Sequence, residues 1–213
     1  MSLWGRICAA AYDTIMAGPE KAVLRGHRQV LLARVRGRVL EIGGGTGANL
    51  PFYGGGVEEL FITEPHERMV QRLERKLGRY SLPTRVVRAP AEELPFEDES
   101  FDFVVSTLVL CTVDDPARAL AQIHRLLKPE GQLLFIEHVR SDEPRLARWQ
   151  DRVHGLQVRL GRGCHCNRTT LESIRATGFS IPQLDHDKLR KAPPIVSPLI
   201  VGAAERVPAA PCL

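Results

Sequence analysis

Two carboxylates and a run of glycines are the residues of this sequence best placed to hold a ligand. An apolar strand pattern ends at Ile42, passes through Gly43, Gly44, Gly45 and Gly47, and resumes with helical character at Ala48. Glycine adds no packing and costs conformational entropy, so this density calls for backbone at positive φ, or backbone that a ligand must approach closely. A strand, a glycine turn and a helix N-terminus together offer unpaired N–H groups and a positive dipole end, which suit a ribose, a carboxylate or a phosphate. Glu41 stands before the first glycine. Glu64 closes the next strand pattern, where a carboxylate can accept from two hydroxyls without supplying a donor. Gly43-x-Gly45-x-x-Ala48, with Glu64 near the offset of a ribose-binding acid, also satisfies the dinucleotide fingerprint, so an NAD-dependent oxidoreductase stays open, as does a module that holds a cofactor without turnover.

The elements that must position these residues alternate strand and helix. Strands are expected at Arg38 to Ile42, Glu59 to Pro65, Thr84 to Arg88, Ser100 to Leu108 and Gln132 to Val139, the fourth nearly all apolar, as suits a buried parallel sheet. Between them, Met69, Val70, Leu73 and Leu77 form one helical stripe and Ala119, Leu120, Ile123 and Leu127 another, opened by Asp115-Pro116 and ended by Pro129-Glu130-Gly131. Upstream, Pro19 is a plausible helix start, with Val23, Leu24, His27, Val30 and Leu31 at helical spacing. Leu3, Trp4, Ile7, Ala11 and Ile15 suggest a shorter amphipathic segment: a packed helix, a lid, or a membrane-surface contact through Trp4 and Arg6. Downstream, Leu146, Trp149, Val153, Leu156 and Leu160 make another helix. Thr169-Thr170-Leu171-Glu172 has capping-box spacing for a helix ending at Gly178. Phe179 to Asp185 and Ile195 to Ala203 read as a closing antiparallel hairpin, and Val207 to Leu213 as a frayed tail. The fold class is therefore α/β, a doubly wound and mostly parallel sheet with helices on both faces.

With 213 residues, 44% hydrophobic and 25% charged, one domain is expected over 1–213: N-terminal helices or a lid in 1–36, a core carrying the glycine turn in 37–140, and further helices with the hairpin in 141–205. The net charge of +4 and the scattered arginines give no support to a nucleic-acid partner. No apolar run approaches the ~20 residues of a membrane span and no signal peptide is legible, so a cytoplasmic location is expected. Five cysteines, an odd number, then read as reduced thiols.

Glu41-x-Gly43-x-Gly45-x-Gly47, Leu94-Pro95-Phe96, Ser100-Phe101-Asp102-Phe103-Val104-Val105, Arg125 to Leu134 and the terminal hairpin together resemble the class I S-adenosylmethionine-dependent methyltransferases, over about residues 20 to 204. Within them the chain resembles the type 11 subgroup. Ser106 to Val113, Phe135-Ile136-Glu137-His138-Val139 and Gly163-Cys164-His165-Cys166 look closest to its methyltransferase-like thiol S-methyltransferases. The resemblance implies a seven-stranded sheet, and S-adenosylmethionine as cofactor with S-adenosylhomocysteine as product. It sets Gly43, Gly45 and Gly47 against the methionine part, with Glu41 accepting from backbone or from the amino group. Glu64 would hold the ribose, Ala91 and Glu92 would border the adenine, and Thr107 and Leu108 would face the methionine side; Asn49 and Pro65 complete the cofactor set. The acid that many members carry just after the third strand is replaced here by Pro90.

Methyl transfer from a sulfonium mainly requires two reactants aligned in line and water excluded. A thiol acceptor, with a pKa near ~8.5, needs little base. His138 is the candidate base or acceptor-orienting group, with Glu137 beside it, unless it is a structural histidine. The acceptor is expected to be a small apolar molecule in a pocket between the N-terminal segment, the helix bearing Trp149 and the loop around Cys164. Methylation of a quinone or natural product at O or C, and of a phospholipid headgroup at N, remain alternatives. Cys164-His165-Cys166 carries zinc-ligand types, but not a four-ligand set, and no second cysteine pair is near; no metal is expected, and Cys111 reads as a small buried residue.

Overall fold

The structure, a computed structural model, describes residues 14, 16–160 and 163–207. Trp4 and the rest of the amphipathic N-terminal pattern, Ile15 included, lie outside the described residues, as does the tail beyond Val207.

Seven strands form one sheet in the order β3-β2-β1-β4-β5-β7-β6. They are β1 Gly37–Ile42, β2 Val57–Thr63, β3 Thr84–Val87, β4 Phe101–Thr107, β5 Leu127–His138, β6 Phe179–Lys188 and β7 Pro198–Arg206. The first five pair in parallel, and β7 alone runs against its neighbours, entering between β5 and β6. The expected hairpin therefore closes the sheet, with β6 as its edge.

Both sheet faces are apolar because helices cover both. On one side Val39, Leu60, Ile62, Val105 and Ile136 pack with Leu31 and Leu32 of α1 (Arg25–Leu32) and Leu73 of α2 (Glu67–Leu77). On the other, Leu40, Phe61, Val104 and Phe135 meet Ala119, Leu120 and Ile123 of α3 (Pro116–Leu126) and Ile174 of α5 (Thr170–Ala176). Successive strand residues alternate between the two clusters, as the two-residue period of a strand requires. Asp115 opens α3 as expected, its Oδ1 accepting from the N–H groups of Ala117 and Arg118 at 3.0 Å.

Several expectations are corrected. No helix follows the glycine turn: Leu50–Phe52 makes a single 3₁₀ turn, because Pro51 and then Gly54, Gly55 and Gly56 leave no helix-forming run. The dipole end invoked for that position is therefore missing. Pro19 does not start a helix but sits within one, at the head of a π-helical turn, Glu20–Leu24, that leads into α1. Val30, counted in the α1 stripe, is 72% exposed. α3 ends at Leu126, before Lys128-Pro129, and Thr169 makes no side-chain cap on α5. α4 (Pro144–Leu160) buries Ala147 and Gln150, and leaves Trp149 and Leu156 to solvent.

Candidate cofactor and acceptor site

Strand order reverses between β1 and β4, and open α/β sheets hold ligands outside the carboxyl ends of the strands at such a point. The glycine turn leaves β1 there, and the loop beginning at Leu108 leaves β4. The turn is clipped to β2: Gly44 N–H donates to Thr63 O and Gly45 N–H to Glu64 Oε2, each at 2.9 Å. Glu64 Oε1 accepts the His66 N–H at 3.0 Å. At Gly43, with φ +58, a Cβ would lie 2.6 Å from Val109 Cγ2, so only glycine lets the turn pass the β4 loop. At Gly45, also at positive φ, a Cβ would meet nothing closer than 4.0 Å. The positive φ, and not a packing contact, is what requires glycine at this position, and the space on its Cβ side is open.

Glu41, at the end of β1, is 3% exposed and accepts from Tyr53 Oη at 2.7 Å. Burial pushes its carboxyl up to about 7, against the opposing pull of Tyr53, Arg28 and Asn49. Arg28 of α1 is buried too. It is 3.2 Å from Glu20 and donates to Asn49 Oδ1, and Asn49 in turn donates to Thr107 Oγ1 at 3.3 Å. The sequence did not single out Arg28 or Tyr53. An arginine inside an amphipathic stripe, and a tyrosine twelve positions from its partner, give no local signal.

A carboxyl raised in the folded state is favoured there only while protonated. Its stabilising contribution is complete below about 4.5 and is lost as pH rises through about 7. Glu41→Gln is therefore expected to stabilise the ligand-free protein at pH 8 by about 3 kcal/mol, and little at pH 4.5. Melting temperatures of both proteins across that range check this; a gap independent of pH would contradict it.

The remaining expected residues divide. Thr107 and Leu108 stand at the switch point, Leu108 at φ +58 with its N–H on Ile136 O at 2.8 Å. Pro65 is exposed and its carbonyl accepts from Arg88 at 3.3 Å. Ala91 is buried. Glu92 is turned to other use: its Oε1 accepts the N–H groups of Asp114 and Asp115 at 2.8 and 3.3 Å, tying its loop to the start of α3.

Glu137 is not beside the chemistry as a free acid. It is fully buried, Oε1 accepting from Ser106 Oγ at 2.6 Å, Val109 N at 3.0 Å and Leu110 N at 3.1 Å, and Oε2 from Cys111 N at 3.2 Å. Burial still raises its pKa, those four donors opposing it. With every oxygen committed, it positions the loop after β4 rather than moving protons. His138 Nδ1 faces two thiols, Cys164 Sγ at 3.4 Å and Cys111 Sγ at 3.9 Å, which are 3.8 Å from each other. The thiol contact with Cys111 draws Cys164 down to about 5, helped by His138 and opposed by burial, and the same contact pushes Cys111 up. Leu108 packs against this cysteine group, which also includes Cys166 and is flanked by Val196. The cysteine cluster and the cofactor crevice thus share Leu108. Gln150 of α4 closes the far side, donating to the carbonyls of Cys166 and Ile195 at 2.9 Å and of Val139 at 3.2 Å. Trp149 and Leu156, on the helix expected to border the acceptor pocket, are exposed instead, at 47% and 62%. A separate cavity of about 490 Å³, lined by Arg140, Arg148 and Arg168 among others, includes no residue of the glycine turn.

The fold is that of solved S-adenosylmethionine-dependent methyltransferases. One from Thermotoga maritima, described as a possible histamine N-methyltransferase, superposes with a TM-score of 0.70 at 24% identity, covering 95% of this chain and 99% of the other. A methyltransferase-domain family model matches residues 40–135, from β1 into β5. The thiol S-methyltransferase TMT1B of Rattus norvegicus is 35% identical across 96% of this chain and 89% of its own length, and the thiol S-methyltransferase TMT1A of Homo sapiens is 28% identical with the same coverage. The chain belongs to the S-adenosylmethionine-dependent methyltransferases, and the protein is an enzyme of that family.

Proposed function

We propose that the enzyme methylates the sulfur of a small apolar thiol in the cytoplasm, with its cofactor held by Glu41, the glycine turn, Asn49, Glu64, Pro65, Ala91, Thr107 and Leu108. The observation that carries the cofactor half is the pair of buried carboxylates flanking Gly45. Glu41 is a buried acid whose carboxyl is pushed up to about 7 despite Arg28, which suits an added ammonium group, and Glu64 would offer its remaining lone pairs to sugar hydroxyls beside its bonds to Gly45 and His66. When bound, S-adenosylmethionine supplies a methyl already activated on a sulfonium. The chain's part is to fix the methyl's line of approach, and Leu108 and the glycine turn do so by keeping the backbone close and water out. The thiol acceptor is supported by the names of the relatives that match nearly the whole chain, and by the reduced need for a base when the nucleophile is a thiol. His138, at the end of β5, orients that acceptor.

Release of radioactive methyl onto a panel of thiols, phenols and quinones tests the reading. Turnover with apolar thiols is expected; turnover confined to phenols or quinones would overturn the acceptor assignment. An ammonium docking beside Glu41 favours its ionised form, so affinity for S-adenosylhomocysteine is expected to rise with pH up to about 7 and then level off. Calorimetric titrations of wild type and Glu41→Gln between pH 5 and 8 check this: the slope is expected to vanish in the variant.

A membrane-surface contact is the second reading, favoured by Trp149 and Leu156 exposed on α4 together with Arg145, Arg148 and Arg152. None of the helices searched is long and apolar enough to cross a membrane. Sedimentation with anionic vesicles, reduced by Trp149→Ala, is the expected result; no sedimentation of the full chain would remove it.

A further inference from the structure

Cys111, His138 and Cys164 lie 26 to 53 positions apart, yet their ligand atoms all come within 4.8 Å of one another and all three residues are buried. Zinc bonds of about 2.3 Å to sulfur and about 2.0–2.1 Å to nitrogen, at tetrahedral angles, would set two sulfurs about 3.8 Å apart and sulfur and nitrogen about 3.6 Å apart. The observed edges are 3.8 Å between the sulfurs, and 3.4 and 3.9 Å from them to His138 Nδ1. We propose that Cys111 Sγ, Cys164 Sγ and His138 Nδ1 form a three-ligand zinc site whose open fourth position takes the sulfur of the thiol acceptor.

The surroundings are built to hold this face of a tetrahedron. Glu137 fixes the loop of Cys111 through three backbone N–H groups. The Cys111 carbonyl accepts the His165 N–H at 2.7 Å, and Arg168 Nη1 donates to Leu110 O at 2.8 Å, so the loops carrying the two cysteines are locked together. Such outer contacts orient metal ligands. Nε2 of His138, buried without a partner among the described residues, carries the ring proton once Nδ1 is a ligand. Two thiolates and an imidazole at tetrahedral spacing suit zinc, and three protein ligands leave the open position typical of catalytic sites. The metal-free expectation considered Cys164-His165-Cys166 as a unit. The fold instead brings Cys164 from it to Cys111, in the loop after β4, and to His138, at the end of β5.

The fourth position rests on the thiol reading above; the three-ligand site does not. Leu108 packs against the cysteine cluster and follows directly on β4 at the switch point, so a sulfur bound at the cluster would lie on the cofactor side of the sheet. A coordinated thiol gives up its proton to water. Its lone pair forms the new carbon–sulfur bond as the sulfonium's bond to the methyl breaks, leaving that electron pair on S-adenosylhomocysteine. The neutral thioether product is a weaker ligand and departs.

The test uses the full chain, reduced, stripped with chelator and titrated with Co²⁺. One equivalent is expected to give sulfur-to-cobalt charge-transfer absorption and the intense visible bands of four-coordinate cobalt, all displaced by Zn²⁺. Cys164→Ser should lose the charge-transfer intensity of one sulfur, Cys166→Ser should keep the wild-type spectrum, and thiophenol should add a further sulfur band to wild type. Native mass spectrometry of wild type, which needs no variant to fold, should show one zinc per chain. Absence of cobalt bands in wild type, or undiminished charge-transfer intensity in Cys164→Ser, overturns the site; a wild-type spectrum indifferent to thiophenol overturns the fourth position. These spectra are read without methyl transfer, so a failed thiol panel and a failed metal site are told apart.

Discussion

Glu64→Ala is expected to weaken S-adenosylhomocysteine binding by about 100-fold, near 3 kcal/mol, while lowering the melting temperature only modestly. The carboxylate would supply two charge-assisted acceptors to a ribose, each worth about 1.5–3 kcal/mol, and its truncation also frees Gly45 N–H from the 2.9 Å bond that fixes the turn. The turn keeps its second clip, Gly44 on Thr63, so the fold should survive. Glu64→Gln retains an acceptor for Gly45 and loses the charge, and is expected to fall between the two. Isothermal titration of the three proteins at one pH measures the series; wild-type affinity in Glu64→Ala would remove the residue from the ribose.

Glu137→Ala acts on stability instead. It strands the Ser106 hydroxyl and three backbone N–H groups in a fully buried place, at about 1–3 kcal/mol for each buried donor left without a partner. A total of about 4 kcal/mol or more, roughly 8 °C or more in a chain of this size, is expected. Glu137→Gln should be intermediate, since its amide places donors against the Cys111 N–H. Thermal unfolding followed by circular dichroism decides this; a variant within 2 °C of wild type, on the scale of about 0.5–1 kcal/mol, would show that the loop after β4 is held by something else.

The repetitive part of the fold was legible because period-2 and period-3.6 patterns report burial directly, and both sheet faces were apolar. β1 to β5, the Asp115 cap and the closing hairpin followed from that. The helix after the glycine turn was misread because a glycine turn feeding a helix is a common pairing, whereas Pro51 and three further glycines confine this one to a single turn. In the site, Glu41 and the glycines were found because they share the seven consecutive positions 41–47, and Glu64 because it closes the neighbouring strand. Glu92 and Glu137 have the residue type of a site acid, but their hydrogen-bond partners come from loops 22 to 31 positions away, and no local pattern encodes that. Trp149 and Leu156 repeat at helical spacing, yet the face of α4 that packs inward is the one bearing Ala147 and Gln150. The meeting of Cys111, His138 and Cys164 is likewise a product of topology: β5 lies beside β4 in the sheet, and the 163–169 loop folds back over both.

The most direct measurement is a crystal structure with S-adenosylhomocysteine. The expected result is the amino-acid end against Gly45 with its ammonium beside Glu41, and both ribose hydroxyls within hydrogen-bond distance of Glu64. Density for the nucleoside away from the β1–β4 crevice, or a ribose turned from Glu64, would contradict the site at its foundation.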